Sequence, residues 1–185
     1  MVDPWRNRGT ICRVLYLDRE LLVRAFTELD QRLTGPVTLI VGGGTAMMLA
    51  HGLPVRTTDV DAYPTGATLE AIDPAIKEVA RRLGLPGDWI NPHFATFAHV
   101  LPADYGSRLR AVFSGDRLSV QALGAEDLLI MKCFAGRAKD IGHAKALLRC
   151  DPDLSIVEAR LHALLEKRIP GAREALDFLD DVSEQ

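Results

Sequence analysis

The alternation of apolar and polar residues predicts a helix first and a buried strand next. Between residues 21 and 33 the apolar side chains recur at the helical period, and Asp18 is placed to cap the N-terminus of that helix. Gly35-Pro36 ends the helix. The next residues, Val37–Val41, form a short β-branched and apolar run that is typical of a buried strand.

The rest of the pattern predicts strands in the first two thirds of the chain and helices in the last third. A short helix at 45–51, a strand at 58–63 and a helix opened by Asp73-Pro74 and closed by Gly84 come first. An irregular connection over 86–106 precedes a hairpin at 109–113 and 117–123. Four helices follow, at 125–135, 138–149, 155–167 and 171–182. This order predicts an α+β fold with a C-terminal helical subdomain.

Composition narrows the classes to which the chain can belong. Of its 185 residues 48% are hydrophobic and 25% are charged, which excludes a wholly disordered chain. No apolar run approaches the ~18 residues of a membrane span, and we expect no secretory signal. A net charge of −3 argues against a protein that coats nucleic acid. The three scattered cysteines, Cys12, Cys133 and Cys150, favour reduced thiols and a cytoplasmic location.

Two segments carry residues suited to phosphate chemistry. Glycines 42, 43 and 44 lie between a strand and a helix, where the lack of a Cβ lets backbone N–H groups approach a phosphate and the helix dipole favours its charge. Asp59 and Asp61 would share one face of a strand, with Cα atoms about 6.6 Å apart. At that distance both carboxylates can bind one divalent cation, which also removes their mutual repulsion. The combination predicts a phosphate cradle facing a Mg²⁺ site, as phosphoryl or nucleotidyl transfer requires.

The same segments resemble a known superfamily. Gly42-Gly43-Gly44-Thr45-Ala46, followed by Arg56-Thr57-Thr58-Asp59-Val60-Asp61, resembles the signature of the nucleotidyltransferases related to DNA polymerase β. Within that superfamily, the blocks 126–132 and 136–140 and the element Trp89-Ile90-Asn91 resemble the small bacterial group of the AbiEii toxins and their single-domain relatives. The resemblance spans roughly residues 37–145. It implies a minimal nucleotidyltransferase fold, a small mixed sheet flanked by helices. The core is predicted at 1–124 and the helical subdomain at 125–185, packed on it or continuous with it.

The resemblance also implies roles for individual residues. Asp59 and Asp61 would be catalytic and would bind Mg²⁺, or Mn²⁺ in its place, with an NTP as substrate. Lys132 would neutralise phosphate charge, and Asp140 would orient Lys132 or the acceptor. The implied nucleotide-binding residues are Gly42, Gly43, Gly44, Thr45, Arg56, Arg137 and Lys139. Many members supply a third acid from a later strand, but the candidate strand here, 118–122, contains no carboxylate.

Other polar residues are open to more than one interpretation. Lys132, Gly136, Lys139, Asp140 and His143 would share one face if a single helix continued through Gly136. A lysine among apolar neighbours needs a partner, which is one reason to single out Lys132.

The remaining histidines and arginines outside that face are less informative. His93 and His99 show no metal-ligand spacing with a third group and are interpreted as loop histidines. Arg108 and Arg110, on alternate positions of a predicted strand, are either surface charge or part of an RNA-binding groove.

Two functions follow from these residues and from the resemblance. The first is a Mg²⁺-dependent nucleotidyltransferase that moves a nucleoside monophosphate from an NTP to an acceptor, with RNA or tRNA the predicted acceptor. By the resemblance it would be the toxin of a toxin–antitoxin pair, with a cognate antitoxin as partner. The second is a non-catalytic member of the same fold that binds a nucleotide or a partner, which the missing third acid favours. A dinucleotide-binding oxidoreductase is excluded, because Met47 stands where its glycine motif needs a glycine.

Overall fold

The structure is a computed structural model that describes residues 15–184, so Cys12 and the predicted start of the core at residue 1 lie outside the described residues. Eight helices and five strands are present in that range. The helices are α1 (Arg19–Asp30), α2 (Gly43–His51), α3 (Leu69–Leu83), α4 (His93–Phe97), α5 (Ala125–Ala135), α6 (Ala138–Leu148), α7 (Leu154–Glu166) and α8 (Ala172–Ser183). The strands are β1 (Val37–Val41), β2 (Val60–Thr65), β3 (Ile90–Asn91), β4 (Arg110–Ser114) and β5 (Leu118–Ala122).

The five strands form one mixed sheet in the order β3-β2-β1-β5-β4. Strand β1 is antiparallel to β2 and parallel to β5, β2 is parallel to β3, and the β4–β5 hairpin is antiparallel. Because β1 and β2 are antiparallel, the residues that follow β1 lie beside the residues that open β2. The predicted α+β class, a small mixed sheet flanked by helices, is confirmed.

Local capping signals set several helix ends as the sequence predicts. The Asp18 carboxylate accepts a hydrogen bond from the Leu21 N–H at 2.8 Å and so caps α1. Gly84 ends α3 in the left-handed conformation. The predicted start of α3 at Asp73-Pro74 is wrong, since Thr68 caps the helix through the Ala71 N–H and Pro74 lies inside it. The buried stripe of α3 already includes Ile72, so packing extends the helix towards its N-terminus beyond the proline.

Three further predicted segments are corrected by long-range contacts or by backbone geometry, and the condition that one helix continues through Gly136 is not met. The connection over 86–106 contains β3, α4 and two short 3₁₀ turns, because pairing with β2 orders a segment too short to show a period. Strand β2 begins at Val60, so Asp59 lies in the bend before it. The first residue of α2 is Gly43, ahead of the predicted start at Thr45. No single helix runs through Gly136, whose φ of 55° ends α5 before α6 begins.

The buried apolar residues form one cluster with members on the strands of the sheet and on the helices that pack against them. Helix α5 packs against α2 and also against α6, α7 and α8. The boundary between core and helical subdomain at 124/125 stays a prediction. Cys133 is buried and Cys150 half-buried, both as free thiols. Between residues 15 and 184 no helix combines the length and the apolar character needed to cross a membrane.

Candidate active site

A cavity of about 710 Å³ opens between the N-terminus of α2, the start of β2, and helices α4 and α5. It brings together most of the residues that the sequence singles out. Those that line it are Gly43, Gly44, Arg56, Asp59, Asp61, Lys132, Arg137 and Lys139. Gly42, Thr45 and Asp140 are not part of its wall, and Thr45 and Asp140 are almost completely buried. The residues that line the cavity can therefore contact a ligand in it, whereas Thr45 and Asp140 cannot contact it directly.

The glycine turn lies directly against the aspartate strand. The Gly42 N–H donates to the Asp61 carbonyl at 3.0 Å, and the Thr45 hydroxyl donates to the Asp59 carbonyl at 3.0 Å. Gly43 has a φ of 58°, and a Cβ there would collide with the Asp61 carboxylate. A side chain at this position would therefore be strained and would also fill the space in front of the carboxylate. Thr45 holds the Asp59 backbone through its hydroxyl and does not line the cavity.

The two aspartates are close together although only one of them is on the strand. Asp59 is held in the bend before β2, where its Oδ1 accepts from the Thr57 hydroxyl at 3.3 Å. The Asp61 carboxylate projects from β2 and is 29% exposed. Burial and the neighbouring Asp59 charge raise the pKa of Asp61 above its usual value. Two carboxylates arranged in this way are stabilised in their charged forms by a bound cation.

Asn91 and His93 complete this cluster, and sequence reasoning gave neither of them a role. Asn91 lies beside Asp61 in the β2–β3 register, and its side-chain N–H donates to the Asp59 carboxylate at 2.8 Å. The ligand atoms of Asp59, Asp61 and His93 all lie within 4.8 Å of one another. The interpretation of His93 as an ordinary loop histidine is wrong, because it is the first residue of α4 and the pairing of β3 brings it close to the carboxylates. The only sequence signal was Trp89-Ile90-Asn91, noted for its resemblance.

The strand considered for a third acid is not adjacent to the aspartates. Strand β1 lies between β2 and β5, and its Ile40 pairs with Tyr63 on one side and Gln121 on the other. Strands are about 4.8 Å apart, so a carboxylate on β5 would lie two strand spacings from β2. The neighbour of β2 on its open side is β3. A further candidate ligand, His93, lies on the segment that follows β3.

Lys132, which lines the cavity, forms a buried ion pair with Asp140, which lies behind it. The Lys132 Nζ lies 2.8 Å from Asp140 Oδ1, and the two side chains are 8% and 0% exposed. The Arg137 side chain donates to the other carboxylate oxygen at 2.7 Å, and the Arg137 N–H donates to the same oxygen at 3.3 Å. Burial alone would raise the pKa of Asp140, but His143, Arg137 and Lys132 outweigh it and hold that pKa well below its usual range.

Further cationic side chains stand at the mouth of the cavity. Arg137 and Lys139 are exposed there, and Arg56 lies over the Tyr16 ring, 5.4 Å from its centroid. Arg108 is not part of this set. It precedes β4 in a 3₁₀ turn and donates to the buried Asp127 carboxylate at 2.8 Å, so the prediction that it alternates with Arg110 on a strand is wrong.

One comparison with known proteins identifies the family of the chain. A family model described as a nucleotidyltransferase of unknown function (DUF6036) matches residues 20–177, a range that includes the glycine turn, the aspartates and the Lys132–Asp140 pair. Searches of curated proteins and of solved structures gave no match. The narrower resemblance to the AbiEii toxins stays a prediction. The geometry of the cavity and the extent of the match agree, and the chain belongs to the nucleotidyltransferase family described as DUF6036.

Proposed function

We propose that this protein transfers a nucleoside monophosphate from an NTP to an acceptor hydroxyl, with a divalent cation held by Asp59 and Asp61. One observation carries the proposal: a glycine turn, a carboxylate pair and several cationic side chains open into the same cavity. Its volume of about 710 Å³ is in the usual range for small-molecule sites. Membership of a nucleotidyltransferase family supports the reaction class.

In the proposed reaction the acceptor hydroxyl loses its proton to solvent and its oxygen attacks the α-phosphorus. The bond from the α-phosphorus to the oxygen of the β-phosphate breaks, and pyrophosphate leaves. Gly43 and Gly44 bind the phosphates through backbone N–H groups at the start of α2, where the first turn leaves these groups without helical partners. Asn91 and Thr57 orient the Asp59 carboxylate through their hydrogen bonds. When bound, the cation neutralises phosphate charge and lowers the pKa of the attacking hydroxyl.

The cationic residues divide into Lys132, which is buried, and three that are exposed, namely Arg56, Arg137 and Lys139. Lys132 carries three N–H donors and gives one of them to Asp140, so its ammonium stays fixed at the cavity wall. In the proposal Lys132 stabilises charge that develops on the phosphates, and Asp140 acts as a positioning residue behind it. Arg56, Arg137 and Lys139 bind the outer phosphates or the acceptor.

The choice of cation, of acceptor and of biological role rests on ligand chemistry and on the resemblance. Two carboxylates and phosphate oxygens are ligands that Mg²⁺ accepts, and Mn²⁺ fits the same set. The exposed Arg137 and Lys139 support a polyanionic acceptor, for which we propose RNA, for example the end of a tRNA. A toxin role with a cognate antitoxin rests on the resemblance alone. A small antitoxin reading frame beside the gene would support it.

The proposal is tested by incubating the full chain with each labelled NTP, Mg²⁺ or Mn²⁺, and total RNA. We expect label to enter RNA with the wild type and with Asp88→Asn, a matched control at an exposed aspartate. Asp59→Asn and Asp61→Asn each lose transfer by about 10²-fold or more, because the metal contributes several kcal/mol to such a transition state. Equal transfer by all four proteins would refute the assignment of the aspartates.

A non-catalytic nucleotide-binding protein is the second candidate. The observation that favours it is that an amide on β3 and an imidazole at the start of α4 lie beside the aspartate pair, where residues 15–184 supply no third carboxylate. Such a protein would bind NTP in calorimetry, would depend on Gly43 for binding, and would transfer no label to RNA, protein or small-molecule hydroxyls. Transfer to any acceptor by the wild type excludes it.

A further inference from the structure

The His93 imidazole lies close to the aspartate pair. It is the first residue of α4, its side chain is 77% exposed, and its Nδ1 lies 3.9 Å from Asp61 Oδ1. Two ligands bound to one ion at about 2.1 Å each are at most about 4.2 Å apart, so this pair of atoms already satisfies the limit. The three ligand atoms lie within 4.8 Å of one another, so a side-chain movement of about half an ångström closes the set.

The position of His93 is tied to the position of the carboxylates. The Asn91 side chain donates from its amide nitrogen to Asp59 at 2.8 Å, and its oxygen accepts the His93 N–H at 3.0 Å. One amide therefore fixes both a carboxylate and the backbone that carries the imidazole. Within residues 15–184 no further histidine, cysteine or acidic side chain joins Asp59, Asp61 and His93.

This ligand set differs in chemistry from one made of carboxylates. Mg²⁺ prefers oxygen ligands and retains water, whereas an imidazole nitrogen adds affinity for first-row transition metals. Two carboxylates and a neutral imidazole also balance the charge of a dication, whereas three carboxylates would leave a net negative charge facing the NTP. We propose that His93 is the third ligand of this site and makes it prefer a transition-metal dication over Mg²⁺. The inference rests on the proposed function only for the two aspartates.

Metal binding measured without turnover tests this inference. Equilibrium dialysis of the full chain with Co²⁺ and separately with Mg²⁺ is carried out for the wild type, His93→Ala, His93→Asp, Asp61→Asn and His99→Ala. The last is a matched control, because His99 is an exposed histidine in the same segment and lies outside the ligand group. The visible spectrum of bound Co²⁺ reports nitrogen ligation directly, and melting curves check that every variant is folded.

We expect the wild type and His99→Ala to bind Co²⁺ more tightly than Mg²⁺. His93→Ala loses Co²⁺ affinity by about 10-fold or more, since losing a ligand costs at least as much as losing the residues that support one. Its Mg²⁺ affinity changes little, and its Co²⁺ spectrum shifts. His93→Asp replaces the nitrogen ligand with an oxygen ligand, so the ratio of Co²⁺ affinity to Mg²⁺ affinity becomes smaller than in the wild type.

Two results would overturn the inference, and they are distinguishable. If His93→Ala binds Co²⁺ with unchanged affinity and spectrum while Asp61→Asn does not bind it, the aspartate site stands and His93 is not a ligand. If the wild type binds neither ion, with or without NTP, the cation site of the proposed function fails together with this inference.

Discussion

Replacing Lys132 by methionine tests the buried ion pair, because methionine keeps the packing of the side-chain stem and removes the ammonium. Breaking a buried pair costs about 3–5 kcal/mol when the remaining charge has no other partner. Here the Asp140 carboxylate keeps Arg137, which donates at 2.7 Å from its side chain and 3.3 Å from its backbone. The expected loss is therefore closer to that of one hydrogen bond to a charged group, about 1.5–3 kcal/mol.

For a chain of this length that loss corresponds to a decrease of about 3–12 °C in melting temperature. Thermal unfolding followed by circular dichroism at pH 7 measures it. Lys139→Met is the matched control, because Lys139 is an exposed lysine at the cavity mouth and its loss should change the free energy of unfolding by less than about 0.5 kcal/mol. In the double variant Lys132→Met/Asp140→Asn we expect a smaller loss than the sum of the two single losses.

Equal melting temperatures for Lys132→Met and Lys139→Met would refute this account of the pair. The transfer rate, measured well below the melting temperature, separates structure from catalysis. In the proposed function Lys132→Met also loses transfer by roughly 10²-fold or more, since a positive charge is removed beside the phosphates. A lower melting temperature with unchanged turnover would instead make Lys132 a purely structural residue.

Four other predictions follow from the site and its surroundings. Gly43→Ala should lower both melting temperature and calorimetric NTP affinity, whereas Gly142→Ala, at an open position of α6, should stabilise by about 0.5–1 kcal/mol. Asp61→Asn should raise the melting temperature in EDTA, because burial and a neighbouring charge raise the pKa of Asp61 and so disfavour its ionised form; a decrease would contradict this. The pKa of Asp140 is held below its ordinary value of 3.8. The stability that the charged Asp140 carboxylate gives to the folded protein is therefore present above that pH and is lost as the pH falls further. The difference in melting temperature between wild type and Asp140→Asn should therefore shrink below about pH 4. Asn91→Ala should weaken Co²⁺ binding by about 10–100-fold in dialysis, and unchanged binding would remove its positioning role.

The fold was predictable wherever a signal is local. The cap at Asp18, the stop at Gly84 and the helix over 125–135 depend on contacts within a few residues, and the structure has each of them. The start of α3 was not predictable in this way. Asp73-Pro74 is a strong local start signal, yet the apolar stripe that reaches back to Ile72 packs against the core and favours the earlier cap.

The arrangement of the aspartate pair could be predicted from the sequence only in part. The spacing of Asp59 and Asp61 predicts two neighbouring carboxylates, and they are neighbours. The predicted reason, two positions on one strand, holds only for Asp61, because Asp59 lies in the bend before β2. Hydrogen bonds from the Thr57 hydroxyl and the Asn91 amide hold the Asp59 carboxylate in position, because Asp59 is not part of the strand.

The sequence by itself determined the order strand–glycine turn–helix–aspartates, since each of these signals is carried by neighbouring residues. Only the tertiary structure decided what completes the site. Strand β3 has two residues and no period of its own, and it exists because its backbone pairs with β2, about thirty residues earlier in the chain. That pairing places Asn91 against Asp59 and His93 against Asp61. Likewise the break at Gly136 lets α6 fold back on α5, so that Asp140 meets Lys132 across two helices rather than along one.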